Sequence, residues 1–220
     1  MITAASNSRI KRLVQLNQKS KLRRTEDVFL AEGVKMFLEA PREQLQEVYV
    51  SESFLEKCSC REHLEEVGYE VVSDSVFSKI SDTCTPQGVL CVLKQFHYNI
   101  EEMLRDKAPL FLLLENIQDP GNLGTMLRTG EGAGVSGIIM SRDTVDLYNP
   151  KVIRSTMGSI YRVPFYYADD FAAAVHQVQQ AGVSVYAAHL RGKNSYACQD
   201  YTKGTCLLYT SPSPRDRSLS

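Results

Sequence analysis

At residues 109–129 the chain reads Pro109-Leu-Phe-Leu-Leu-Leu-Glu-Asn-Ile-Gln-Asp-Pro-Gly-Asn-Leu-Gly-Thr-Met-Leu-Arg-Thr129. The apolar run that opens it is typical of a parallel strand buried on both faces. Asp119 to Gly121 then predict a tight turn, and Leu123 to Glu131 predict a helix that Asn122 would cap. Because α/β proteins bind ligands where such strands end, Asn116 lies at a candidate site.

Short apolar runs alternate with amphipathic segments on both sides of this stretch. Strands are predicted at 28–31, 47–51, 69–72 and 88–93, and then at 137–140, 183–188 and from 205 onward. The alternation predicts an α/β fold with a small domain over 1–97, a linker over 98–108 and a Rossmann-like parallel sheet over 109–208. Residues 209–220 are rich in serine, proline and arginine, and we interpret them as a non-native or disordered tail.

Composition limits the class of protein. The 220 residues carry a formal net charge of −1, and 43 % are hydrophobic and 23 % charged. This balance is typical of a globular protein and excludes collagen, coiled coils and disordered chains. The uncharged apolar runs are shorter than the ~20 residues that a membrane-spanning helix needs. Residues 1–10 also lack the apolar core of a secretory signal, so we expect a cytoplasmic protein with no membrane partner.

Six cysteines are spread along the chain, and only Cys58 and Cys60 are close together. With His63 they would offer three zinc ligands, but C-x-C is an uncommon zinc spacing. Reduced thiols are the favoured interpretation for a cytoplasmic protein, and no metal site is predicted.

The segment Gly132-Ala-Gly-Val-Ser-Gly137 matches the dinucleotide-binding pattern G-x-G-x-x-G. That pattern requires a strand before the glycines and a helix after them. Here the predicted order is reversed, so we interpret the glycines as a helix C-cap and a tight turn. A nucleotide-dependent oxidoreductase is therefore the weaker hypothesis.

The amino-terminal segment is basic up to its first acidic residue, Glu26. Its cations are Arg9, Lys11, Arg12, Lys19, Lys21, Arg23 and Arg24. Apolar residues recur among them at helical spacing, which predicts an amphipathic helix with a basic outer face. Such a face can bind the phosphates of a nucleic acid, although on its own a solvated helix surface is the simpler interpretation.

The turn after the buried strand resembles the first motif of the SpoU (TrmH-type) RNA ribose 2′-O-methyltransferases, Asn-x-x-Asp-Pro-x-Asn-x-Gly-x-x-x-Arg-Thr. The matching residues are Asn116, Asp119, Pro120, Asn122, Gly124, Arg128 and Thr129. Residues 149–164 are also similar to the family. Phrases typical of its substrate-binding domain occur at 7–11, 29–33 and 85–88, so the resemblance spans roughly residues 1–206.

The resemblance implies an L30e-like α/β domain followed by an α/β-knot domain of the SPOUT type. It also implies an enzyme that transfers a methyl group from S-adenosylmethionine to a ribose 2′-hydroxyl of RNA, with ribosomal RNA favoured over transfer RNA. By position, Arg128 would activate the hydroxyl and Asn116 would shape the catalytic site. The residues implied to contact RNA are Asn122, Arg154, Ser155 and, on the basic helix, Arg9, Lys11, Arg12, Arg23 and Arg24.

The carboxyl end departs from the family pattern. The second motif, Asn-Glu-Gly-x-Gly, and the third, with Ser-Leu-Asn, are absent after the predicted strand at Thr205, and 209–220 resemble translated vector or adapter DNA. We therefore expect the knot-forming end to be missing, catalysis to be impaired and the family's homodimer to be lost. The remaining cofactor contacts would be Ala188, Leu190 and Gly192. The alternative function is a non-catalytic RNA-binding remnant.

Overall fold

The computed structural model describes residues 1–187 and 195–210. Within them the helices are α1 (Ser8–Gln18), α2 (Ser20–Glu26), α3 (Val34–Leu38), α4 (Glu52–Lys57), α5 (Arg61–Val67), α6 (Asp74–Ile80), α7 (Ile100–Met103), α8 (Pro120–Ala133), α9 (Pro150–Thr156) and α10 (Phe171–Gln180). The strands are β1 (Val28–Glu32), β2 (Leu45–Ser51), β3 (Glu70–Val72), β4 (Val89–Lys94), β5 (Leu110–Glu115), β6 (Gly137–Ser141), β7 (Phe165–Ala168), β8 (Ser184–Ala187) and β9 (Thr205–Thr210). None of the described helices is long and apolar enough to span a bilayer.

The chain forms two compact units, and the first comprises Met1–Phe96 together with Asp146–Tyr161. Its sheet has the order β1-β4-β2-β3, with β4 antiparallel to β1 and β2, and with β3 parallel to β2. Helix α1 buries Ile10, Leu13 and Leu16 in the core of this unit, because residues three apart lie on one helix face. The predicted amphipathic helix is therefore confirmed over Ser8–Gln18, whereas Lys21, Arg23 and Arg24 of the basic segment belong to the separate helix α2.

Residues Asp146–Tyr161 pack within the first unit, although the sequence pattern placed them in the second domain. Helix α9, which they contain, contacts β1. The ring centroid of Tyr148 lies 4.9 Å from that of Phe29, and the Tyr161 hydroxyl donates to the Met36 carbonyl oxygen at 3.0 Å. The predicted boundaries of the first domain, 1–97, therefore left out residues Asp146–Tyr161, which pack within that unit.

The second unit comprises the described residues of His97–Val145 and Arg162–Ser220. Its five described strands are all parallel, in the order β7-β6-β5-β9-β8, which confirms the predicted parallel sheet. Phe111 and Leu113 of the central strand β5 are fully buried. The stretch predicted as a linker over 98–108 belongs to this unit, because α7 buries Ile100 and Met103 in its core.

Helix α8 begins directly at the turn after β5. Its N-cap is Asp119, whose side chain accepts a hydrogen bond from the backbone N–H of Asn122 at 2.7 Å, so the predicted cap at Asn122 is wrong. Pro120 occupies the first helical position, where the missing N–H leaves no helical hydrogen bond unmade. The helix ends at Gly134 with a φ of 72°, and β6 follows at Gly137. The glycines therefore form a C-cap and a turn, as predicted.

The cysteines have ordinary structural environments. Burial raises the pKa of the Cys91 thiol, and it raises that of Cys206 to about 12. The pKa of Cys60 is raised as well, mainly by burial and to a smaller extent by the neighbouring Cys58. Thiols with a raised pKa are weak nucleophiles at neutral pH. Across residues 1–187 and 195–210, no three His, Cys, Asp or Glu side chains are placed to hold a metal ion.

Candidate active site

The backbone changes direction sharply where β5 ends. Asn116 follows Glu115, the last residue of the strand, with a φ of 56° in the left-handed region. Asparagine visits this region more readily than most residues, and residues held there cost about 1–3 kcal/mol and cluster at functional sites. The Gln118 side-chain nitrogen donates to Asn116 Oδ1 at 2.7 Å and to the Asp143 carbonyl oxygen at 2.5 Å. The Asn116 carboxamide is therefore held at the carboxyl end of the central strand.

Helix α8 carries Arg128 on its exposed side. The residues that this helix buries are Leu123, Gly124, Leu127 and Gly130. Both Asn122 and Arg128 are exposed. The carboxylate of Glu131, one turn further along, is paired with Arg162. Among the described residues none forms an ion pair with Arg128, so its guanidinium is accessible to an external anion such as a phosphate.

Arg154 and Ser155 lie on α9, in the first unit, and their side chains bond to protein groups there. Arg154 Nη1 donates to Asp82 Oδ2 at 3.0 Å and to the Asp82 carbonyl oxygen at 3.2 Å. The Ser155 hydroxyl donates to the Val152 carbonyl oxygen at 2.8 Å. Arg154 is thus partly neutralised by an aspartate, a feature that the sequence did not indicate.

The loop that carries Asp82 is itself fixed by Glu32. Glu32 Oε1 accepts from the hydroxyls of Ser81 at 2.7 Å and Thr83 at 2.9 Å. Its Oε2 accepts from the backbone N–H of Asp82 at 3.1 Å. The Asp82 carboxylate, which pairs with Arg154, is therefore part of a loop whose conformation is fixed by hydrogen bonds to Glu32.

Two of the predicted RNA-binding arginines on α1 are paired with carboxylates of the first unit. Arg9 contacts Glu70 at 2.9 Å, and this hydrogen bond raises the pKa of Arg9. Arg12 lies 2.7 Å from Glu26 and 2.8 Å from Glu47. These pairs reduce the positive charge that the two arginines can present to a phosphate.

Arg23 is the predicted RNA contact that the structure contradicts. Its side chain is only 3 % exposed. The guanidinium donates to the carbonyl oxygens of Leu16 at 2.7 Å and Asn17 at 3.2 Å, and it pairs with Asp146 at 2.5 Å. An arginine that is buried and neutralised within its own unit has no surface to offer to RNA. The sequence missed this because the partner carboxylate is 123 residues away.

Besides Arg9, which pairs with Glu70, four cations of the basic segment are exposed: Lys11, Lys19, Lys21 and Arg24. None of them forms an ion pair with a residue that the structure describes. Lys11 and Arg24 are therefore the predicted RNA contacts of this segment whose full charge is accessible.

The predicted cofactor contacts Ala188, Leu190 and Gly192 lie outside the described residues. The chain reaches them from β8, whose last residue, Ala187, pairs with Leu208 of β9. On β9, Leu207 is an exposed apolar side chain. Apolar surface of this kind fits the adenine ring of S-adenosylmethionine. The described residues at this edge are thus compatible with the cofactor in their chemistry.

Three polar residues around Asn116 escaped the sequence analysis: Gln118, Ser141 and Thr144. Ser141 is the last residue of the apolar run that forms β6. The position of Ser141 could have indicated a contact with Asn116, because the carboxyl ends of neighbouring parallel strands meet at one edge of the sheet.

Comparison with known proteins identifies the family. Residues 109–209 match the SpoU rRNA Methylase family, and residues 7–91 match the MRM3-like substrate binding domain. The 23S rRNA (guanosine(2553)-2′-O)-methyltransferase RlmP of Bacillus subtilis is 31 % identical over 198 residues, which cover 89 % of this chain and 75 % of that protein. The chain belongs to the SpoU rRNA methylase family.

Two further similarities support this SpoU assignment. The crystal structure of an AdoMet-bound rRNA methyltransferase from Sinorhizobium meliloti shares 26 % identity with a TM-score of 0.82, covering 100 % of this chain and 85 % of that one. The human mitochondrial rRNA methyltransferase 3 is 41 % identical over 88 residues, which are 38 % of this chain and 21 % of the human protein. SpoU membership confirms the predicted family, fold class and S-adenosylmethionine-dependent RNA methyltransferase class. The roles of individual residues stay predictions.

Proposed function

We propose that this protein transfers a methyl group from S-adenosylmethionine to a ribose 2′-hydroxyl of RNA, with ribosomal RNA as the substrate class. The turn after β5 carries this proposal. It combines a left-handed Asn116 at the carboxyl end of the central strand with an exposed Arg128 on the helix that follows, for which no described residue provides an ion pair. Relatives named as rRNA methyltransferases support the substrate class. The loss of the family's homodimer and a cytoplasmic location stay predictions.

The reaction needs the 2′-hydroxyl to lose its proton as the new bond forms. S-adenosylmethionine, when bound, supplies the methyl group on its sulfonium, and Ala188, Leu190 and Gly192 are the residues predicted to hold it. Arg128 would stabilise the developing alkoxide with the positive charge of its guanidinium and bind the adjacent RNA phosphate. The proton leaves to that phosphate or to water. Asn116 orients the ribose from the strand end.

Methyl transfer tests the proposal directly. The purified chain is incubated with methyl-tritiated S-adenosylmethionine and either ribosomal or transfer RNA, and digested nucleosides are analysed for 2′-O-methyl products. We expect label in ribosomal RNA at a ribose. RNA binding without any transfer would instead favour the RNA-binding remnant, whereas transfer at an ordinary enzymatic rate would overturn the expected impairment.

The exposed cations predict how RNA binding depends on salt. Lys11→Gln and Arg24→Gln are each expected to weaken binding and to lower the slope of log K against log[salt] by about 1, since each would remove one phosphate contact. Filter binding across a salt series measures both quantities. Lys57→Gln, which alters an exposed lysine on α4 of the same unit, is the matched control. An unchanged slope for both variants would exclude the basic helix from the RNA interface.

Asp82 is expected to restrain Arg154. Asp82→Asn removes the charge that pairs with Arg154, and an exposed ion pair is worth about 0.2–1 kcal/mol. RNA binding is therefore expected to tighten by about 1.4–5-fold. In an Arg154→Ala background the gain should vanish, which a double-mutant cycle measures. The same gain in both backgrounds would show that Asp82 acts on RNA by general repulsion and that Arg154 is not an RNA contact.

A further inference from the structure

Two hydroxyl groups next to β5 contact the backbone that leaves this strand. Ser141 ends the neighbouring strand β6, and Thr144 lies in the loop that follows. Ser141 Oγ accepts from the backbone N–H of Asn116 at 2.9 Å, and Thr144 Oγ1 accepts from that of Ile117 at 3.3 Å. Both residues are buried. Water therefore competes little for these hydrogen bonds.

The two hydroxyls also form one consistent chain of donors and acceptors. Thr144 Oγ1 lies 3.4 Å from the Leu114 carbonyl oxygen and 3.3 Å from Ser141 Oγ. If the Thr144 hydroxyl donates to Leu114, the Ser141 hydroxyl can donate to Thr144, and both oxygens still accept from the backbone. Loss of the Thr144 hydroxyl would leave the buried N–H of Ile117 without its acceptor, and loss of the Ser141 hydroxyl would do the same to the half-buried N–H of Asn116. Native proteins avoid buried polar groups without partners.

Further bonds join the same two segments on the far side of Asn116. The backbone N–H of Val145 donates to the Ile117 carbonyl oxygen at 2.8 Å. The Gln118 side chain bridges Asn116 and Asp143, as described above. Asn116 and its neighbours are thus hydrogen-bonded to the end of β6 and the loop after it. The two hydroxyls are the acceptors for the backbone N–H groups of Asn116 and Ile117.

We propose that the Ser141–Thr144 hydroxyl pair is a positioning device for methyl transfer, which holds the Asn116 backbone left-handed and so orients its carboxamide toward the site. This inference rests on the proposed function. Neither hydroxyl is a catalytic residue, because each acts through a backbone amide of the turn. A left-handed non-glycine residue persists only while its surroundings hold it. Without the two hydroxyls the turn relaxes and the carboxamide leaves its place.

Four variants of the full chain test the pair: Ser141→Ala, Thr144→Val, Thr144→Ser and, as a control, Thr205→Val. Thr205 is another buried threonine of the same sheet, but it lies at the opposite end, where β9 begins. We expect Ser141→Ala and Thr144→Val to lower kcat by about 10–100-fold, the range that misplacement of a reacting group produces. KM for RNA should change less than about twofold, and Thr144→Ser should recover kcat to within about threefold.

Amide hydrogen exchange by NMR provides a readout that is independent of turnover. Exchange at Asn116 and Ile117 is expected to accelerate by roughly tenfold or more in Ser141→Ala and Thr144→Val, and to stay unchanged in Thr205→Val. Unchanged kcat, or an equal loss of kcat in the control, would overturn the positioning role. Absence of transfer by the wild-type chain would reject the proposed function instead. Unaltered exchange would show that the hydroxyls do not hold the turn.

Discussion

Replacement of Arg128 by alanine is expected to lower kcat for methyl transfer by about 10²–10⁴-fold, the contribution typical of a group that assists proton loss. The ribose hydroxyl is a weak nucleophile at neutral pH, and a fixed positive charge beside it stabilises the alkoxide as it forms. Single-turnover kinetics with tritiated S-adenosylmethionine and saturating RNA measure the effect on the chemical step.

The fold should tolerate this change, because Arg128 is on the exposed side of α8 and forms no ion pair within the described residues. Arg105→Ala is the matched control, since Arg105 is an exposed arginine of the same unit with no assigned role. Arg128→Lys keeps the charge but loses the planar fork that grips a phosphate, so only partial recovery is expected. A variant Arg128→Ala with activity within about threefold of wild type would remove Arg128 from the mechanism.

Replacement of Asp146 by alanine is expected to lower the free energy of unfolding by about 3–5 kcal/mol, because it leaves the charge of Arg23 buried without a partner. Arg23 is 3 % exposed and Asp146 28 %, so solvent screens this pair little. Arg23 Nε already has no hydrogen-bond acceptor among the described residues. No other carboxylate among them pairs with this guanidinium.

Urea denaturation followed by far-UV circular dichroism measures this loss, since the chain has no tryptophan. Glu70→Ala provides the comparison, because it breaks an ion pair of the same unit whose partners are both about half exposed. Pairs of that kind contribute about 0–1 kcal/mol. If the two substitutions destabilise the protein equally, the Arg23–Asp146 pair is no more important than a surface contact.

The features that the sequence predicts well are those that neighbouring residues determine. The apolar run at 110–114 predicts a buried strand because its side chains leave no polar face. Gly134 predicts a helix end because it accepts a left-handed conformation without strain. The N-cap of α8 was predicted at Asn122 but lies at Asp119. Pro120 was the available signal, because proline favours the first helical position and the residue before it is then the N-cap.

The features that the sequence does not predict depend on contacts between distant residues. Arg23 resembles its neighbours in the basic segment, and only the distant Asp146 distinguishes it. The hydroxyls of Ser141 and Thr144 gain their importance from the backbone of another strand. Periodicity and motif spacing describe one stretch of chain at a time, so they carry no information about such partners.

The return of residues Asp146–Tyr161 to the first unit affects how the protein folds as it is made. The ribosome delivers Arg23 well before Asp146, which lies 123 residues later. At ~5–20 residues per second this delay is about 6–25 s. During that time Phe29 lacks the ring of Tyr148, and Arg23 lacks its counter-ion. The amino-terminal unit therefore completes its core only after much of the second sheet's chain has emerged.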